Sequence, residues 1–108
     1  NVIVEAKPNF EAMVAVGLGH TMITARCDSG VADFVTRCFA PLSGINEDPV
    51  TGSAHCALTP LWSERLGKVE MESLQLSNRT GRLKVRMIND RVEIKGKAIT
   101  IFKAELRV

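Results

Sequence analysis

The sequence predicts an α+β domain in which several antiparallel strands surround one apolar helix. Three observations carry this: β-branched and aromatic runs at 21–27 and 31–40, one helical apolar stripe within 52–66, and a change to period two from Met71 onward. At 108 residues, with 45% apolar and 24% charged residues, the chain has room for one domain and one modest core.

Taking the elements in order, residues 2–6 (VIVEA) suit a short strand that ends at Lys7-Pro8-Asn9. Asn9 is a candidate N-cap for a short helix with Phe10, Met13 and Val14 at helical spacing. Gly17 and Gly19 break that pattern. Their G-x-G lacks the third glycine and the strand-turn-helix setting of a dinucleotide site. The strands at 21–27 and 31–40 are separated by Asp28-Ser29-Gly30, and the loop 41–51 leads into the helix. There Ala54, Ala57, Leu58, Leu61 and Trp62 form one stripe that Leu66 extends. Thr51 or Ser53 is placed to cap its start and Gly67 its end, while Pro60 predicts a bend or an early stop. In the strands that follow, Leu74 and Leu76 alternate with polar neighbours. Leu83, Val85 and Met87 oppose Arg82, Lys84 and Arg86, with turns at 77–81 and 89–90. Val92 and Ile94 continue the alternation, Gly96 marks a bend, and Phe102, Ala104, Leu106 and Val108 read as a last strand.

A net charge of +2 does not argue for a nucleic-acid or membrane partner. Arg82, Lys84, Arg86, Arg91, Lys95 and Lys97 are interspersed with acids and lack interleaved aromatics, so they read as a solvated sheet face. No run is long enough to span a bilayer, and no signal peptide opens the chain. Cys27, Cys38 and Cys56 form no CxxC pair, which suits reduced thiols and makes a cytoplasmic protein the default. Asn1 is not a methionine and a strand is already under way beside it, so the chain reads as a piece of a longer one.

The richest stretch for chemistry is GINEDPVTGSAH at 44–55. A helix start leaves backbone N–H groups unpaired at the positive end of the helix dipole, and small residues let an anion approach them. Asp48, held extended by Pro49, stands at the lip of this cradle. It reads either as an acid or base, or as a cap of the helix. Glu47 points to the opposite face, which disfavours a two-carboxylate pair. His55 reads as a proton shuttle or as a buried, hydrogen-bonded histidine, and Cys56 as a buried structural thiol. No His, Cys or carboxylate spacing fits a metal, and Ser53 lacks a hydrolase elbow.

Over most of its length, and most specifically between Asp33 and Lys68, the chain resembles the phenazine-biosynthesis (PhzF-like) isomerases, which have the diaminopimelate epimerase fold. The matching residues are Arg37-Cys38-Phe39-Ala40-Pro41, the turn Asp48-Pro49-Val50-Thr51-Gly52-Ser53-Ala54-His55 and the helix after it. The wording is nearest to the eukaryotic branch with the MAWD-binding protein homologues. The resemblance implies one lobe, the second, of a two-lobed protein: a curved, mostly antiparallel sheet around a central helix, with the active site between lobes. It implies that Asp48 helps place or transfer a proton, and that Gly52, Ser53, Ala54 and His55 bind the substrate, the first three by offering amides to its carboxylate. It implies a cofactor-independent proton shift within a small unsaturated carboxylic acid, without a cysteine mechanism. The principal base, a glutamate, and a Gly-His motif belong to the first lobe and have no counterpart here, so this lobe alone is expected to be inactive. The partner is then that first lobe, or a second copy in a homodimer. The alternative is a catalytically silent interaction module of the MAWD-binding type.

Overall fold

The computed structural model describes residues 2–108 of the chain. Two short helices, α1 (Val2–Glu5) and α2 (Phe10–Ala15), precede strands β1 (Thr21–Arg26) and β2 (Phe34–Ala40). A 3₁₀ turn (Pro41–Ser43) and β3 (Ile45–Asp48) lead to helix α3 (His55–Leu66), followed by β4 (Glu70–Gln75), β5 (Gly81–Ile88) and β6 (Arg91–Lys95). The strands form one six-stranded sheet ordered β1-β2-β4-β5-β6, with β3 joined to β2. Every pairing is antiparallel except β2 with β4, which α3 connects as a crossover. The α+β class and the mostly antiparallel sheet read from the sequence are both present.

β2 is the organising strand. One of its edges is covered along its length by β1, from Thr21 opposite Phe39 to Arg26 opposite Phe34. The other edge is divided. β4 pairs with its first half, ending with Gln75 opposite Thr36, and β3 pairs with its second half, with Asp48 opposite Cys38. The C-terminal ends of β3 and β4 therefore converge on residues 36–38 of β2.

α3 packs on one face of this sheet. Its Ala54, Leu58 and Trp62 join Phe34, Cys38, Met71, Leu83 and Val85 in the core, flanked by Met22, Leu61, Leu66 and Ile94. The Trp62 and Phe34 rings stack at 5.7 Å, and Trp62 Nε1 donates to Thr24 Oγ1 at 2.9 Å, which satisfies the indole's one polar group. Leu58 is 2% exposed, and truncating such a residue to alanine costs about 2–5 kcal/mol. Gly67 ends α3 in the left-handed region at φ +65°, its N–H donating to Ser63 O, so the predicted glycine cap is present.

The structure departs from the sequence reading at several elements. Residues 2–5 form a turn of helix rather than a strand, because Arg37 Nη1 gathers the carbonyls of Ile3, Val4 and Ala6. Such convergence suits the end of a helical turn and is foreign to a strand ladder. β3 lies inside the segment read as a loop. α3 starts at His55, after a tight turn in which His55 N bonds Gly52 O and Cys56 N bonds Ser53 O. Neither Thr51 nor Ser53 caps it with a side chain, and it continues through Pro60, whose ring is exposed. Its buried stripe is Ala54, His55, Leu58, Thr59 and Trp62, whereas Ala57 and Cys56 are exposed. The buried-thiol reading of Cys56 is thereby corrected.

β4 is turned over relative to expectation. Met71, Ser73 and Gln75 face inward with Ser77 beyond them, while Leu74 and Leu76 are half-buried on the other side. The last strand is absent: residues 96–108 carry no regular structure, and Phe102 and Leu106 are 78% and 86% exposed. A strand needs a neighbouring edge for its backbone groups, and no strand among the described residues pairs with this segment. α2, with Asn9 Oδ1 accepting from Ala12 N, and the β5–β6 hairpin with its Asn89-Asp90 turn agree with the sequence reading.

Candidate functional site

The site grows from the divided edge of β2. Asp48 is the last residue of β3 and Pro49 then turns the chain away, so the carboxylate sits half-buried where β3 ends. Its Oδ2 accepts a hydrogen bond from Thr51 Oγ1 at 2.8 Å. Asp48 thus bonds a side chain in the turn and none of the backbone amides at the helix start. That geometry separates it from a simple N-cap.

Thr51 is the hub. Its N–H donates to Gln75 Oε1 at 2.9 Å, its carbonyl lies 2.7 Å from His55 Nδ1, and its hydroxyl reaches Asp48. The inward face of β4 supplies the supports: Ser73 Oγ lies 2.7 Å from His55 Nε2, Gln75 holds Thr51, and Ser77 Oγ donates to Pro49 O at 2.9 Å. These three polar residues went unrecognised in the sequence. The available signal was their own period-two spacing, Ser73, Gln75, Ser77, in antiphase to Leu74 and Leu76.

His55 lies inside this support rather than on the open side. Its ring is fully buried and both nitrogens are engaged. A carbonyl can only accept, so Nδ1 carries the proton and Nε2 accepts from Ser73. Burial pushes its pKa below the ordinary value of 6.5, partly offset by the bond to Thr51, so the ring is neutral. Its backbone N–H is also spent, on Gly52 O. The buried, hydrogen-bonded reading matches this geometry.

Gly52, Ser53 and Ala54 are different. None of their N–H groups has an acceptor among the described residues, and Gly52 and Ser53 are exposed. A Cβ added at Gly52 would meet nothing within 4 Å, so the approach to its backbone is open. Beside them is a recess of about 170 Å³ lined by His20, Thr21, Met22, Cys38, Thr51, Ser53 and Ala54. Cys38 looks into it as a neutral thiol. Burial first, and then the nearby Asp48 and Glu47 charges, push its pKa up.

Glu47 faces the other way, as its alternation with Asp48 requires. It forms a bidentate pair with Arg37 at 2.8 and 2.9 Å, and the guanidinium also lies over the Phe39 ring. Several basic residues of β5 and β6 are paired too: Arg82 with Glu72 at 2.9 Å, Arg86 with Glu93 at 3.1 Å and Lys95 with Glu93 at 3.3 Å. Among the described residues, no three or more His, Cys, Asp or Glu side chains gather as metal ligands, and no helix is long and apolar enough to cross a membrane.

Comparison with known proteins places the chain in a family. The family profile described as phenazine biosynthesis-like protein matches residues 1–104. An uncharacterized isomerase of Halalkalibacterium halodurans is 44% identical over 102 residues, which is 94% of this chain and 38% of that protein. The phenazine biosynthesis-like domain-containing protein 2 of Mus musculus is 52% identical over 75 residues, 68% of this chain and 26% of that one. A crystal structure of a phenazine-biosynthesis PhzC/PhzF protein from Clostridium difficile superposes with a TM-score of 0.84 at 37% identity. The match covers 98% of this chain and 40% of the other. The chain thus spans 38% of the length of the bacterial relative. With the profile matched along nearly its whole length and the fold shared with a solved member, the chain belongs to the phenazine biosynthesis-like (PhzC/PhzF) family.

Proposed function

We propose that this chain forms one wall of the active site of a cofactor-independent isomerase, which shifts a proton within a small unsaturated carboxylic acid. Asp48 handles the proton, and the Gly52, Ser53 and Ala54 amides receive the substrate carboxylate. The observation that carries this reading is a carboxylate tethered to Thr51, followed by three consecutive amides that have no acceptor among the described residues, beside a recess lined in part by Thr51, Ser53 and Ala54. Unpaired N–H groups at the positive end of α3 complement a carboxylate and leave the carbon skeleton to lie toward Asp48. His55 serves the site from beneath by holding Thr51. The principal base and the opposite wall come from the first lobe of the same fold, so this lobe alone turns over nothing. The open side of the lobe is closed by that first lobe, and a homodimer extends the same association.

The test uses the full-length protein and a panel of small α,β- and β,γ-unsaturated carboxylic acids, with deuterium uptake from D₂O as the readout. Asp48→Asn should lower turnover by about 10²–10⁴-fold on an accepted acid, the range for loss of an acid–base group, with the melting temperature nearly unchanged. Full activity in that variant would remove Asp48 from the mechanism.

A further inference from the structure

The Gln75 side chain is 1% exposed and its carboxamide is fully used. Oε1 accepts from Thr51 N–H at 2.9 Å, while Nε2 donates to Asp48 O at 2.8 Å and to Thr51 Oγ1 at 3.0 Å. The first bond orients the group, because a backbone N–H can only donate and so must meet the oxygen. Both Nε2 protons then point at acceptors. Since Thr51 Oγ1 accepts from Gln75, its own proton is directed to Asp48 Oδ2 at 2.8 Å. The donors run one way, from Gln75 to Thr51 to Asp48.

We infer that Gln75 and Thr51 are positioning residues that decide which oxygen of Asp48 works: Oδ2 is held as an acceptor, and Oδ1 alone is open to a ligand. The protonated oxygen of a carboxyl is the poorer acceptor, so the hydrogen bond that Oδ2 accepts from Thr51 favours Oδ1 as the oxygen that carries a proton. Asp48 Oδ1 has no partner among the described residues. The clamp spans both strands that meet on the divided edge of β2. It therefore fixes the carboxylate relative to the sheet and to the amides at 52–54, the kind of pre-orientation that proton transfer rewards. Ser77 on Pro49 and Ser73 on His55 stiffen the same turn from the same face of β4. The inference rests on the catalytic reading of Asp48 for its meaning in turnover, but its geometry can be tested independently.

The decisive measurement is NMR on the labelled full-length protein. A slowly exchanging Thr51 hydroxyl proton, coupled through its hydrogen bond to the Asp48 carboxyl carbon, is expected. Thr51→Ser should keep that signal. Gln75→Glu, which replaces the donor by an acceptor, should turn the hydroxyl away and abolish the coupling to Asp48. A hydroxyl in free exchange with water, or one still coupled to Asp48 in Gln75→Glu, would overturn the inference. Where Gln75→Glu does not fold, Thr51→Val preserves shape and removes only the hydroxyl. On an accepted acid it should lower kcat by about 10²-fold with KM changed little, and Thr51→Ser should recover most of the loss. Wild-type kcat in Thr51→Val, alongside loss in Asp48→Asn, would equally refute it. Retained activity in Asp48→Asn would instead remove the proposed function, leaving the hydroxyl coupling to decide the clamp.

Discussion

His55 shows how a residue in a catalytic-looking motif can be committed to structure. It is neutral because burial disfavours its charged form, and its two nitrogens tie the Thr51 carbonyl to Ser73. Its folded pKa lies below 6.5, so on acidification the unfolded chain takes up a proton that the folded chain refuses. This contribution to stability is complete above about pH 6.5 and is lost as pH falls from there through the folded value. Melting temperature should therefore fall between pH 7 and pH 5 more steeply in the wild type than in His55→Gln, and parallel profiles would count against this role. Asp48 and the 52–54 amides stand out as candidates in the sequence because their chemistry is local: an acid, a proline and small residues at a helix start. Gln75 was not legible. Its importance depends on a turn 24 residues upstream, and a glutamine between leucines ordinarily faces water.

At the scale of elements, β4 was read in the wrong phase because its inward partner is a polar turn rather than an apolar surface. Leu74 and Leu76 set the expected face, yet hydrogen bonds to His55, Thr51 and Pro49 hold Ser73, Gln75 and Ser77 inside. β3 escaped notice for a related reason. Its four residues, Ile45-Asn46-Glu47-Asp48, carry no apolar alternation and become a strand through pairing with β2. By contrast, β5 obeyed its pattern, with Leu83 and Val85 buried. Gly81 opens β5 opposite Gln75, and a Cβ placed there would overlap the Val50 side chain in the loop that leads to Thr51. Gly81→Ala should accordingly destabilise the protein by about 1–3 kcal/mol, the usual cost of overpacking, and weaken substrate turnover through that loop. Chemical denaturation reads the first effect, and an unchanged midpoint would show that Val50 yields freely.

For the whole molecule, the C-terminal segment is the main departure from expectation. Its strict alternation from Phe102 to Val108 reads as a strand, yet Ile99 and Ile101 are each 89% exposed, and Phe102 and Leu106 are also open. An apolar surface of this kind commonly marks an association site, and the chain spans 38% of the bacterial relative's length. Sedimentation of the isolated chain should show concentration-dependent association, whereas a strictly monomeric, well-folded species at high concentration would contradict it. The divided edge of β2 carries a consequence for how the site comes into being. Asp48 and Gln75 are 27 residues apart in sequence and meet only after α3 has crossed over and β4 has aligned beside β2. That closure is a non-local event whose entropy cost precedes its reward. The Asp48–Gln75 arrangement thus depends on a long-range closure rather than on the local sequence of the turn. A free peptide of residues 44–55 would carry the whole motif without the clamp that orients its carboxylate.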